Sequence, residues 1–208
     1  MSTHYLESVS SFHRAFGVPK LVQLSDQEQL VSVALRATLI EEETTEYFEA
    51  LEQWKAIQAP DTFPHMAKEL ADLLYVVMGT ADVLGVTTTV QATPNHLSYS
   101  LTDLVLRTQS RIAVQELTYL GRMIHYGDPI EAAVEALGSD LQSLVQSIAR
   151  SASKARIPLR KVFDEVHRSN MSKLNPDTGK PERREDGKVL KGPWYKEADL
   201  SFLQREAA

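Results

Sequence analysis

The sequence predicts an all-α protein: an antiparallel bundle of about five helices followed by a mostly irregular C-terminal arm. Three observations predict it. Apolar residues recur at 3–4 residue spacing almost throughout. Pro and Gly number only nine each, and every Pro falls outside or at the start of the periodic segments. The one run with strand propensity, VTTTV at 86–90, has no partner strand in view.

The first helix begins after Ser25, an N-cap whose capping box closes at Glu28. From there Leu30, Val33, Ala37, Ile40, Tyr47, Phe48, Leu51 and Trp54 form one amphipathic stripe, with no breaker before Pro60. That is a helix of roughly eight turns. The turn Pro60–Pro64 leads into a second helix, His65 to Leu84, with Met66, Leu70, Leu73, Val77 and Ala81 on its stripe and Gly85 as its C-cap. Residues 86–96 read as a loop. A third helix follows from Leu97 to His125 and ends at Gly127-Asp128-Pro129. A fourth covers Ile130 to Arg156, and Pro158 opens a short fifth that ends between Asn170 and Lys173.

This gives a helical domain over residues 1–175 and a basic arm over 176–208 in the same functional unit. A shift of 71 residues places Arg36 on Arg107, Glu69 on Asp140 and Leu73 on Leu144. The chain therefore reads either as a degenerate duplication (26–86 and 97–157) or as two similar amphipathic hairpins.

Composition narrows the function. The chain of 208 residues has no Cys, which excludes disulfide scaffolds, thiol nucleophiles and Cys-bound metals. Its net charge of −6 argues against a duplex nucleic-acid binder. The most apolar stretch, Leu70 to Val86, carries Asp72 and Asp82, so no membrane span is expected. The N-terminus lacks the pattern of a signal peptide, and a cytoplasmic protein is expected. The charge is unevenly spread: residues 154–191 hold eleven basic and six acidic side chains, a net +5 that leaves −11 for the rest. Such a division suits a site that gathers cations on one side and anions on the other.

The acids have a pattern. On the first helix, Glu43 and Glu46 sit at the margin of the apolar stripe, and Glu42 neighbours Glu46 at i, i+4. On the second, Glu69 and Asp72 repeat the device. Two such helices packed antiparallel bring both pairs to one half-buried seam. Carboxylates crowded there repel, and a divalent cation relieves the repulsion. Oxygen ligands select Mg²⁺, with Mn²⁺ as a substitute. Without that convergence the same acids would be a solvated helix face.

At these residues the chain resembles a known family. Glu42-Glu43-x-x-Glu46, 22 residues, then Glu69-x-x-Asp72 is similar to the EExxE…ExxD signature of the all-α nucleoside triphosphate pyrophosphatases, which include MazG proteins, dimeric dUTPases and phosphoribosyl-ATP pyrophosphohydrolases. FHRAFGVP (12–19), ELADLLYVVMGTADVLGV (69–86), VFDEVHRSNMSKL (162–174) and REDGKVLKGPWY (184–195) resemble the phosphoribosyl-ATP-pyrophosphohydrolase-like branch. The resemblance implies a Mg²⁺-dependent hydrolase that cleaves an NTP or dNTP between the α and β phosphates. It implies Glu43, Glu46, Glu69 and Asp72 as metal ligands, with Glu42 and Glu43 catalytic and Glu42 the acid that orients water or binds a further ion. Asn170 and Lys173 resemble the phosphate-binding element, and Lys188 and Lys191 are candidates to close over the triphosphate. Tyr195 is a candidate to stack on the base, or with Trp194 to pin the tail. A homodimer or homotetramer is expected. The alternatives are hydrolysis of phosphoribosyl-ATP in histidine biosynthesis and an inactive nucleotide-binding helical module. No zinc-protease, P-loop, dinucleotide or serine-hydrolase motif occurs.

Overall fold

A computed structural model describes residues 3–91, 97–183 and 189–205. Seven helices occur among them: α1 (His4–Phe16), α2 (Asp26–Ile57), α3 (Thr62–Leu84), α4 (Tyr99–Tyr126), α5 (Glu131–Lys154), α6 (Leu159–Met171) and the short α7 (Phe202–Arg205). No strand forms among the described residues beyond isolated bridges in the arm, Leu174 to Pro181 and Arg183 to Val189. None of the described helices is long and apolar enough to cross a membrane.

The five expected helices are present, each within a few residues of its expected bounds. The Ser25–Glu28 capping box forms, with the Ser25 N–H donating to Glu28 Oε2 at 2.9 Å. Gly85 ends α3 at φ 73°, where a side chain would be strained. Two long hairpins, α2–α3 and α4–α5, pack side by side through α2 against α4 and α3 against α5. The loop after α3 is tied to α5: Gln142 and Gln146 donate to the Thr89 carbonyl at 2.9 and 2.8 Å.

The sequence reading assigns no helix before Ser25, yet α1 is there. Its buried face is Tyr5, Val9, His13 and Phe16. A histidine in a core position breaks the apolar signal, so the stripe is easy to miss. α1 and α6 both pack on α3, which becomes the central helix. This explains why α3 is buried on nearly every face, including Glu69, Thr80 and Asp82.

Asp82 fastens α1 to α3. Only 5% exposed, it accepts hydrogen bonds from Ser10, from His13 Nδ1 at 2.7 Å and from Lys20 Nζ at 2.5 Å. Burial pushes its pKa up, but these donors outweigh that and hold it well below the ordinary carboxylate range. Asp82→Ala leaves His13 buried without its partner. It is expected to destabilise the protein by about 3 kcal/mol in chemical denaturation. A loss below about 1 kcal/mol would show that the cluster is not a stabilising clamp.

Candidate active site

The α2–α3 seam opens, beneath α6 and the returning arm, into a cavity of about 380 Å³. Its walls follow from helix periodicity. Arg36, Leu39, Glu43 and Glu46 line it from α2 at steps of three or four residues. Asp72, Tyr75, Val76 and Gly79 line it from the antiparallel α3. Ser169 and Asn170 of α6, with Lys173 just beyond it, face the acids from the opposite side. The arm turns back along α6: Lys196 N–H donates to Ser172 Oγ at 2.9 Å, and Arg168 Nη2 donates to the Glu197 carbonyl at 2.7 Å. Lys191 and Tyr195 thereby reach the cavity of their own chain. Trp194 pins the turn by packing over Gly192, where any Cβ would lie 2.4 Å from the indole.

Three carboxylates converge. Glu43, Glu69 and Asp72 each offer an oxygen, and these oxygens lie within 4.8 Å of one another. Glu69 is 5% exposed, and its Oε2 is buried without a hydrogen-bond partner. Burial, then repulsion from Asp72, Glu46 and Glu69, pushes the Glu43 pKa up to about 8. Burial likewise raises Asp72 and Glu46, the latter also repelled by Glu69. A set of hard oxygen donors under mutual repulsion, one of them unpartnered, fits a hard divalent cation.

Glu46 lines the cavity near this triad but lies outside it, on an exposed stretch of α2. Glu42 is exposed and does not line the cavity. Lys188 lies outside the described residues.

The basic wall is organised as well. Lys173 Nζ donates to Asn170 Oδ1 at 2.8 Å, which leaves the Asn170 amide N–H groups to donate elsewhere. Burial lowers the Lys173 pKa, against the pull of Asp72 and with repulsion from Lys191 and Lys68. Lys191 Nζ stands 4.6 Å over the Tyr195 ring, and Tyr195 accepts from Ser169 Oγ at 3.1 Å. Tyr195 thus both anchors the arm and faces the cavity. His167 bonds Tyr75 at 3.0 Å, a packing role.

Sequence reasoning missed Lys68, Arg36 and His13. Lys68 donates to Asp72 Oδ2 at 2.6 Å and Glu69 Oε1 at 3.1 Å, neutralising two acids from the side. Its i, i+4 spacing to Asp72 was a visible signal. Arg36 and His13 had none, because a buried cation reads as surface in a sequence.

Residues 9–98, from α1 through α3 and the loop that follows, match the family model described as phosphoribosyl-ATP pyrophosphohydrolase. No curated protein and no solved structure gives a significant match.

Proposed function

We propose that the chain is an all-α pyrophosphohydrolase of the MazG-like kind, as the match of residues 9–98 to the phosphoribosyl-ATP pyrophosphohydrolase family model supports, and that it cleaves an NTP or dNTP between the α and β phosphates. The observation that carries this reading is one cavity with an acidic wall on α2 and α3 and a basic wall on α6 and the arm.

Glu43, Glu69 and Asp72 would hold Mg²⁺ or Mn²⁺, with Glu46 beside them at the cavity wall. When bound, such an ion neutralises phosphate oxygens and lowers the pKa of a water. Lys173, the Asn170 amide and Lys191 hold phosphate oxygens on the opposite wall and offset the charge that develops on the leaving pyrophosphate. Glu42, exposed and outside the cavity lining, takes no step in this reading. The water oxygen bonds to the α phosphorus while the α–β bridging bond breaks, giving a nucleoside monophosphate and pyrophosphate. The exposed apolar residues Val31 and Leu35 of α2 and Tyr126 of α4 fit a homo-oligomer.

The second reading is phosphoribosyl-ATP hydrolysis, favoured by the description of the matching family model. Incubating the protein with NTPs, dNTPs and phosphoribosyl-ATP, with and without Mg²⁺, separates them. Pyrophosphate and monophosphate from NTPs or dNTPs, only with metal, is the expected result. Orthophosphate release or metal-independent turnover would overturn the reaction. A preference for phosphoribosyl-ATP would overturn the substrate.

A further inference from the structure

Beyond the triad the same cavity has a second polar end. Arg36 is 8% exposed, yet it lines the cavity, and its Nε is buried with no hydrogen-bond partner. Asp82 lies near enough to favour its charge, but a buried Nε–H with no acceptor is costly to leave unpartnered. His13 stands next to it. Arg36 Nη1 and His13 Nε2 lie 3.4 and 3.3 Å from the point a Cβ would occupy at Gly79, so the glycine keeps the space between them open. His13 Nδ1 lies 2.7 Å from Asp82 Oδ2; a ring that donates its Nδ1–H to this carboxylate presents Nε2 as an acceptor in its neutral form. Nothing in the proposed cleavage uses either group.

We propose that Arg36 and His13 read the nucleobase and select those with a lactam edge (uracil, thymine or guanine), in which a ring carbonyl adjoins a ring N–H. This rests on the nucleotide reading above. The spacing fits: Arg36 and Glu43 lie on one face of α2, seven residues or about 10 Å apart, the reach of a nucleotide from its phosphate to its base. The chemistry fits as well. Arg36 donates to the carbonyl oxygen, which has two lone pairs, and His13 Nε2 accepts from the neighbouring N–H. Adenine has no carbonyl, and its amino group would point a donor at the guanidinium. Cytosine has a carbonyl but beside it an unprotonated ring nitrogen that cannot donate to His13. Phe12, also lining this end, supplies an apolar face for the base.

The test is calorimetric binding of UMP, dTMP, GMP, AMP, CMP and ribose 5-phosphate to the full chain with Mg²⁺, alongside hydrolysis of the matching triphosphates. The tightest ligand is expected to carry a lactam edge, with AMP and CMP at least about tenfold weaker. Arg36→Lys keeps the charge but loses the fork. It should erase that margin while ribose 5-phosphate and AMP stay within about twofold. AMP or CMP binding as tightly as the best ligand overturns the proposal. So does a variant that weakens ribose 5-phosphate equally, which would mark Arg36 as a phosphate ligand or a structural residue. Should the variant fail to fold, the wild-type ranking still decides. A base ranking without hydrolysis sinks the pyrophosphohydrolase and keeps this inference, and hydrolysis without a ranking does the reverse.

Discussion

Glu43→Gln is expected to cut kcat by about a thousandfold and at the same time to raise the melting temperature of the metal-free protein by about 3 °C or more at pH 8. The two effects have one cause. Burial and the neighbouring Asp72, Glu46 and Glu69 push the Glu43 pKa from 4.5 to about 8. The folded chain therefore holds a proton there that the unfolded chain has released. Between these values stability falls as pH rises, because the native state binds more protons than the unfolded one. Above pH 8 the full penalty of an ionised, repelled carboxylate remains. Glutamine has nearly the same shape and no charge, so it removes that penalty and with it an anionic ligand. At pH 4 the carboxyl is protonated in both states and the stability gain vanishes. Melting curves at pH 4 and pH 8 with excess chelator, set beside turnover with Mg²⁺, test both halves. Undiminished turnover, or a lower melting temperature at pH 8, would remove Glu43 from the metal set.

The parts legible in the sequence are those written in short-range spacing. The Ser25–Glu28 box, the Gly85 stop and the stripes of α2 and α3 are local, and they put Glu43, Glu69 and Asp72 on facing edges. Asn170 and Lys173 came from spacing and resemblance together, and they share one wall of the cavity with Lys191. What could not be read is set by distant pairs. Asp82 looked like a charge interrupting an apolar helix, and it needs Ser10, His13 and Lys20, more than sixty residues away, to make sense in a core. α1 stayed hidden for the same reason, since His13 becomes a core residue only once Asp82 is opposite it. Glu42 and Glu46 show the reverse limit. Both belong to the motif, but one turn of helix decides which carboxylate faces the seam, and Glu43 is the one buried enough to join Glu69 and Asp72.

Mg²⁺ binding at pH 7 is expected to release close to one proton, and apparent affinity should rise about tenfold per pH unit from 6 to 8 before levelling off. A carboxyl with a pKa of about 8 is mostly protonated at pH 7, and it must lose that proton to serve as a ligand. Lys68 does not supply the proton: its own burial favours losing it, but its bonds to Asp72 and Glu69 outweigh that and hold its pKa above the ordinary lysine value. Lys173 is the other nearby candidate, since burial lowers its pKa. A cation at the triad would lower it further, so Lys173→Met separates the two sources. Calorimetric titration in two buffers of different ionisation enthalpy counts the protons directly. Release should persist in Lys173→Met and disappear in Glu43→Gln. If Mg²⁺ binds at pH 7 with no proton released, Glu43 is already ionised there, and the crowding of the three carboxylates is not what tunes the site. If release instead disappears in Lys173→Met, the proton belongs to the phosphate wall, and metal and phosphate binding are coupled through that lysine.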